Sequence, residues 1–405
     1  ETILVRWDGW NFGSPAFVLS CDCPANPGGG TARDWLVNCT SIGLAVVNNI
    51  TQGTEYATIA DSVLDSNPGD VIELDAHVFN EQNIVLNERD LTFLGQGPDE
   101  TIIDGGGVGD SIFMIGAGSN ISFDGMTMRN GLVSGAPGGG AMQLQNESTT
   151  VSAHDVHFIG NETSGTSSGA IWVSKATLNL EDCLFQDNVT GTNGFATDVS
   201  VIGAELSAVN CVFVYGVNGN FNVYVQSVGA GLSFASLVNC TFVGTSFRSH
   251  VGTRNTFADA DVIGCVLETF DSVEAIDGAS ITISRCVYPG ATGDNIDAAP
   301  IFVDALNGDY RLAPGSPGID AADATAYLNA GGGDIDLAGS FRYWDDAGTP
   351  NTGIGATNIL DCGAFEFQST SPPQAQCPGD IDGDGDTDLE DFTILASDFG
   401  CVPTP

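Results

Sequence analysis

The sequence predicts an all-β fold of the parallel β-helix type, and three observations lead to that prediction. A short apolar segment recurs through the middle of the chain, Gly and Asn separate the apolar runs, and no window there has the apolar spacing of a long amphipathic helix. A repeat of this length with several short strands per period is typical of one solenoid coil. The recurring segments begin 21 to 30 residues apart, at Met126, Val156, Cys183, Cys211, Cys240, Cys265 and Cys286.

Each recurring segment carries a large apolar residue two positions after its first residue, which is the period of a strand. The large residues are Met128, Phe158, Phe185, Phe213, Phe242, Leu267 and Tyr288. One coil cannot bury its inner face alone, whereas coils stacked about 4.8 Å apart share a continuous core. We therefore expect residues 51–310 to form the β-helix, with further short strands in the runs 200–202, 223–228 and 280–283.

Two ladders of identical side chains are expected inside the stacked coils. Five of the eleven cysteines stand at the first position of a recurring segment. A metal-thiolate row is one interpretation, but the closely spaced ligand pairs of zinc sites are missing. Cysteine also packs as a small apolar residue, so we favour a structural ladder. We expect a second ladder, of side-chain amides at the turns, from Asn130, Asn161 and Asn188.

Residues 1–50 precede the repeat and are predicted to be an N-terminal arm or cap. They contain a strand candidate, Thr2–Arg6, and a loop rich in Cys, Pro and Gly, Cys21–Gly30. The following segment, Tyr56–Asn67, has apolar residues at helical spacing and ends before Pro68. A short amphipathic helix here would cover the open first coil, as the ends of solenoids require. Its apolar residues are Ile59, Val63 and Leu64.

Composition excludes several classes of partner. The 405 residues include 52 Asp and Glu against 10 Lys and Arg, so the formal net charge is −42, yet hydrophobic residues make up 42% of the chain. Binding to nucleic acid needs clustered basic residues, and anionic lipid repels such a charge, so we expect neither as a partner. No apolar stretch reaches the length of about 18 residues that a membrane span requires, so we expect no membrane span.

Two features favour an exported protein, extracellular or at the cell surface. The chain starts at Glu1 and not at Met, as expected after removal of a signal peptide. Cysteines near the C-terminus, Cys377 and Cys401, are suited to a disulfide in an oxidising compartment. The pairing of the other terminal cysteines stays open at this point; these are Cys21, Cys23, Cys39 and Cys362.

The C-terminal residues have the pattern of a calcium-binding loop. Residues 369–376 (STSPPQAQ) have the composition of a linker, and residues 377–405 follow as a small separate unit. Six Asp residues there occupy loop positions 1, 3, 5, 7, 9 and 12, with Gly385 at position 6 for the sharp turn. Calcium takes six to eight hard oxygen ligands. We therefore predict a Ca²⁺ site at Asp380, Asp382, Asp384, Asp386, Asp388 and Asp391, with a short amphipathic helix behind it at Phe392–Phe399.

Several stretches of this chain resemble known families. The run Tyr56–Gly107 resembles the opening coils of right-handed β-helix proteins of the pectin-lyase-like superfamily. The runs Asp309–Asp320, Asp336–Arg342 and Asp361–Phe367 resemble the end of many exported bacterial β-helix proteins. The resemblance covers residues 50–368 and implies a right-handed solenoid whose end region is 311–368.

The predicted calcium loop has a resemblance of its own. It is similar to a dockerin repeat of the kind found at the C-termini of planctomycete secreted proteins. A dockerin module usually has two such repeats and this chain has one. The resemblance implies calcium binding, while the single copy weakens the case for a cohesin partner.

The sequence leaves three functions open, because one fold hosts many activities. We expect a structural or surface-assembly protein, a calcium-stabilised homo-oligomer or homopolymer joined through β-helix ends and terminal arms, since an unpaired sheet edge must be capped or paired. The superfamily resemblance implies a polysaccharide lyase or another carbohydrate-active β-helix enzyme as an alternative. A lyase would use acidic residues on one face (Asp124, Asp155 and Asp182) and Arg129 or Lys175 as base. A glycan- or cohesin-binding module, with extracellular polysaccharide as a partner, is the other alternative.

Overall fold

The computed structural model describes residues 46–135, 137–244, 249–269, 273–355 and 359–369. These residues form a right-handed parallel β-helix, which confirms the predicted fold class. The arm before residue 46, the linker, the calcium loop at 380–391 and the Cys377–Cys401 pair lie outside the described residues. The calcium site and the disulfide therefore stay predictions.

Each coil has three faces, and the strands of successive coils stack in parallel on each face. The strands of the first face are Asp70–Leu74, Asp90–Leu94, Asn120–Arg129, Thr150–Ile159, Thr177–Glu181, Glu205–Val209, Ser233–Val238, Ala258–Ile263 and Ser280–Ser284. Two of these, Asn120–Arg129 and Thr150–Ile159, continue onto the second face, which also has Val78–Phe79, Ile102–Asp104, Leu184–Gln186, Val212–Val214, Thr241–Val243, Val266–Leu267, Val287–Tyr288 and Ile296–Asp297.

The third face forms a separate sheet. Its strands are Ile84–Leu86, Phe113–Ile115, Met142–Gln145, Ile171–Ser174, Val189–Ile202, Val217–Gln226, Val251–Arg254 and Val273–Ile276. Two short strands, Leu132–Val133 and Glu162–Thr163, pair with each other, and Glu162 also pairs with Val189 of this sheet. The three faces enclose one continuous apolar core.

Phenylalanine rings form a ladder through that core. The strand register pairs Phe158 with Phe185, Phe185 with Phe213, and Phe213 with Phe242. Successive ring centroids are 4.7, 4.9 and 4.9 Å apart, and all four rings are fully buried. Because each inner ring contacts an identical ring on both sides, the parallel register and the close packing of the core stabilise each other.

The cysteines of the repeat form the expected structural ladder beside the rings. All five are buried with free thiols, and each Sγ lies within hydrogen-bonding distance of a backbone carbonyl; they are Cys183, Cys211, Cys240, Cys265 and Cys286. The sulfur of Cys265 also accepts the backbone N–H of Cys240 at 3.3 Å. Cys362 is likewise buried and free. Its Sγ donates to the carbonyl of Arg285 at 3.3 Å, which ties the end region to the last coil.

A sharp corner separates the first face from the second, and the corner residue has a positive φ in seven successive coils. The φ angles lie between 49° and 65° at Gly125, Asp155, Asp182, Asn210, Asn239, Gly264 and Arg285. Glycine adopts this left-handed conformation freely, and Asn and Asp tolerate it better than most other residues. The backbone corner therefore explains why short polar residues recur immediately before the apolar segments.

The amide ladder is confirmed for two of its three predicted members. Asn161 and Asn188 are buried, and the N–H of Asn161 donates to Oδ1 of Asn188 at 3.0 Å. Gly131 occupies the equivalent position in the preceding coil and donates its N–H to Oδ1 of Asn161. The prediction for Asn130 is wrong by one residue. Asn130 lies at an exposed corner with a φ of 54° and contacts Asp104. It is equivalent to the corner residues Gly160 and Asp187, whose φ angles are 61° and 56° and which directly precede Asn161 and Asn188.

The predicted capping helix is present as α1, Ile59–Asp65. The side-chain oxygen of Thr58 accepts the N–H of Asp61 at 3.1 Å and so caps its first turn. Ile59 and Val63 are buried, whereas Leu64, expected on the same apolar face, is 73% exposed. The strand Val47–Asn49 pairs antiparallel with Thr54–Tyr56 and with Asp70–Leu74, so this end of the first face is covered as well.

The end region, which with its first strand spans residues 302–368, packs along the corner between the first and second faces. It contains the antiparallel strands Phe302–Asp304 and Asp309–Leu312, the 3₁₀ turn Ala305–Asn307 and the helix α2, Ala324–Asn329. Nδ2 of Asn210 donates to the hydroxyl of Tyr327 at 2.7 Å, and Nδ2 of Asn239 donates to the carbonyl of Asp361 at 2.7 Å. The end region therefore covers the later corners, from Asn210 onward.

We predict that Phe213→Ala destabilises the solenoid by about 3–5 kcal/mol, because it removes a ring that packs on both sides and leaves a cavity. The matched control is Phe257→Ala, since Phe257 is 43% exposed and lies outside the ladder. Urea unfolding followed by circular dichroism measures both variants. Equal losses of unfolding free energy in the two would contradict the role of the ladder.

Candidate functional site

The three acidic residues predicted to share a face do lie together, at the corner between the first and second faces. We call this the acidic corner: Asp124, Asp155, Glu181, Asp182 and His154. Nδ1 of His154 lies 2.9 Å from Oδ1 of Asp124 and its Nε2 lies 3.6 Å from Oδ2 of Asp182. In-register stacking of His154 with Asp124 and Glu181 on the first face brings these groups together from three coils.

The acidic corner holds His154 in its charged form. Hydrogen bonding to Asp182, and then to Asp124, raises the pKa of His154 to about 10. Burial, together with the nearby charges of Asp124 and Asp182, raises the pKa of Asp155. Burial and the charge of Asp182 likewise raise the pKa of Glu181. One imidazolium thus faces four carboxyl groups, and the corner keeps a negative charge.

A groove of about 330 Å³ lies beside the acidic corner, over the second face. Its floor includes His157, Leu184 and Val212, and its far wall comes from the end region at Asn307–Arg311 and Leu337. Burial lowers the pKa of His157 below its usual value, which favours the neutral ring. Nη2 of Arg311 pairs with Asp309 at 2.6 Å, so the one guanidinium lining the groove is neutralised from within its own strand.

The structure does not bring Arg129 and Lys175 together. Arg129 ends the strand Asn120–Arg129 on the second face, and its Nε pairs with Oδ2 of Asp104 at 2.8 Å. Lys175 stands at the opposite corner, in the turn between the third and first faces, with a φ of 57°. Neither side chain extends the acidic corner into the base-and-carboxylate arrangement that the superfamily resemblance implies for a lyase.

A chain of polar side chains, not predicted from the sequence, crosses the interior of the solenoid. The fully buried carboxylate of Asp198 accepts hydrogen bonds from Nδ2 of Asn188 at 2.9 Å and from Nδ2 of Asn222 at 2.8 Å. His250 continues the chain through contacts with Asn222 and Thr269. Burial raises the pKa of Asp198 to about 7 and lowers that of His250 to about 3. This chain braces three coils from within.

In the part of the chain that the structure describes, no three His, Cys, Asp or Glu residues are arranged to hold an ion. The predicted ligands, Asp380 to Asp391, lie outside that part. Among the described residues no helix is both long and apolar enough to cross a membrane.

Comparisons with known proteins show likeness at the level of overall shape. No family model matches the chain, and no curated protein matches it. Two solved structures are similar over much of their length. A structure titled "Crystal structure of pectate lyase Pel9A" has a TM-score of 0.33 at 12% identity and covers 78% of this chain and 92% of its own. A pectin methylesterase from Aspergillus niger in deglycosylated form has a TM-score of 0.27 at 18% identity, covering 62% and 89%. Since both scores are low, the fold assignment rests on the strand register.

We predict that His154 stabilises the fold at neutral pH and loses this effect in base. Its folded pKa of about 10 exceeds its unfolded value, which is near 6.5. The stabilisation is therefore complete below about pH 6.5 and is lost as the pH rises to about 10. The unfolding free energies of the natural protein and His154→Gln should converge over that interval.

The control for this experiment is His77→Gln, because His77 is an exposed histidine of the first coils. Its difference from the natural protein should change little over the same range. A His154 ring that titrates near pH 6.5 in a ¹⁵N-resolved NMR spectrum would contradict the ion-pair assignment.

Proposed function

We propose that this chain is an extracellular structural protein that self-associates head to tail through the ends of its β-helix. The observation that carries this proposal is the difference between the two ends of the solenoid. The N-terminal end is covered by α1 and by Val47–Asn49. Among the described residues no further strand pairs with the last strands of the first and third faces, and the side chain of Asn295 donates to the carbonyl of Ile283 at 3.1 Å there.

The last coil exposes apolar side chains that are buried in the coil before it. Val262 is fully buried and Ala260 nearly so, while their register partners Ile283 and Ile281 are only partly buried. Val251 on the third face is fully buried and its partner Val273 is not. An open core with unpaired strand edges is a template for pairing with another chain.

We propose that the N-terminal arm makes that pairing with a second copy. It enters the structure at Val46, at the capped end of the solenoid, next to Val47–Asn49. An arm that leaves from one end and fits the other gives a heterologous contact, which repeats into a filament when it does not close. Within it, we propose that the strand candidate Thr2–Arg6 adds to the last coil.

Charge sets the conditions for this assembly. The net charge of −42 opposes close approach of two copies, and salt or divalent cations screen or neutralise it. The Ca²⁺ loop predicted at 380–391 would supply one bound cation per chain. We therefore propose that assembly is calcium-dependent.

The first experiment is negative-stain electron microscopy of the purified protein in calcium and after chelation with EGTA, together with sedimentation. We expect filaments or sheets in calcium and shorter particles after chelation. Ile281→Asp should abolish assembly, because it places a charge at the open edge. Leu232→Asp, at a residue that is 72% exposed away from that edge, should leave assembly intact. Dispersed monomers in calcium would overturn the proposal.

A carbohydrate-directed function is the second candidate, and the groove beside the acidic corner is the observation that favours it. Lyase activity on pectate or alginate would appear as unsaturated-product absorbance in the presence of calcium. Loss of that absorbance in Arg129→Ala or Lys175→Ala would replace the structural proposal with an enzymatic one. Retention on cell-wall polysaccharide or on a cohesin, without turnover, would instead favour a binding module.

A further inference from the structure

The end region contains a buried carboxyl group that the fold leaves without a hydrogen-bond partner. Asp320 is 0% exposed, and neither Oδ1 nor Oδ2 has a hydrogen-bond partner of good geometry. The backbone N–H of Asp346 is the donor that comes near its carboxyl group. Oδ1 of Asp345 is buried and unpartnered as well. Buried polar atoms are nearly always paired, so the three unpaired oxygens of Asp320 and Asp345 require an explanation. The two carboxyl groups are close enough for the charge of Asp345 to act on Asp320.

The backbone around Asp320 prevents its side chain from turning away to solvent. Asp320 has a φ of 52°, its N–H donates to Oδ1 of Asp361 at 2.7 Å, and its carbonyl accepts the N–H groups of Thr352 and Gly353 at 2.8 and 2.9 Å. Both oxygens of Asp361 are used, since Oδ2 accepts the N–H of Phe367. The main chain is thus held on both sides of Asp320.

The negative charges around Asp320 favour the binding of a cation. Burial first, and then the negative charges of Asp345 and Asp346, raise its pKa to about 7. The buried guanidinium of Arg342 lies 3.7 Å from Glu366 and donates to the carbonyl of Asp361, so its contacts are to other groups. A proton shared between the two carboxyl groups would pair two of the three oxygens, whereas one cation can bind all three.

We propose that Asp320 and Asp345 bind a hard divalent cation of the Ca²⁺ class, with Asp346 adding negative charge beside it. Calcium takes six to eight oxygens, so backbone carbonyls and water would complete a site that has two carboxylate ligands from the protein. Asp346 is fixed in place by the hydroxyl of Thr349, which donates to its Oδ2 at 2.7 Å.

This site is separate from the loop predicted at 380–391, and it does not rest on the proposed assembly. It would join the segment before α2 to the turn at Asp345–Thr349, and the residues that contact the solenoid corner, Tyr327 and Thr352, follow these two segments. Arg285, at the last corner, donates to the carbonyl of Thr352 at 2.7 Å. The cation would therefore clamp the end region onto the last coils.

Terbium luminescence tests the site, because Trp344 stands directly beside Asp345 and can transfer energy to a bound ion. The full chain is used with its C-terminal loop silenced by Asp382→Ala and Asp384→Ala. We expect one Tb³⁺ per chain with tryptophan-sensitised emission, and we expect Ca²⁺ to displace it. Trp344→Phe should keep the stoichiometry, measured by calorimetry, and lose most of the emission.

Asp320→Asn and Asp345→Asn, each in the loop-silenced chain, should lose the bound ion. The matched control is Asp334→Asn, an exposed carboxylate of the same region, which should retain it. If Asp320→Asn fails to fold, Asp345→Asn alone decides the outcome. Unchanged emission and stoichiometry in Asp345→Asn, or no Tb³⁺ bound to the loop-silenced chain, would overturn the proposal and leave buried water as the partner of these oxygens.

Discussion

Parallel pairing between successive coils is the interaction on which the rest of this structure depends. A single coil has too little buried surface to be stable, and it gains a core only from the coils above and below it. The strand register that makes this possible also aligns identical side chains in successive coils. The rings of Phe158, Phe185, Phe213 and Phe242 therefore stack with successive centroids 4.7, 4.9 and 4.9 Å apart. A shift of one residue would turn every ring outward.

The left-handed corner between the first two faces is a consequence of that register. Because the same backbone turn recurs in each coil, it selects Gly, Asn and Asp in a row along the solenoid. In the earlier coils this row presents carboxylates, which gather around His154 at the acidic corner. In the later coils Asn210 and Asn239 instead bond the end region, so one structural device produces both a charged surface and a docking surface.

The two ends of the solenoid differ, because the segment before the first coil covers that coil and the segment after the last coil does not cover its final strands. At the N-terminal end α1 and an antiparallel strand close the first coil. The end region leaves the last coil and folds back along the corner, toward Asn210, so it covers a side of the solenoid and not its final strands. Ile281 and Ile283 are consequently less buried than the residues they pair with.

The sequence by itself determined the fold class, the capping helix and the cysteine and phenylalanine ladders, because a periodic interior imposes a periodic pattern of residue types. The amide-ladder position was predictable only to within one residue, as Asn130 illustrates, since Asn suits both the left-handed corner and the buried position directly after it.

Tertiary structure alone decided which carboxylates of the irregular segments meet. The acidic corner is different, because its three Asp residues stand about thirty positions apart in adjacent coils and the period of the sequence predicted them. The buried pair Asp320 and Asp345 comes from two segments of an irregular region that has no period. Contacts that bring irregular segments together leave no repeating signal in the sequence, because each depends on the path of the chain and not on local propensity.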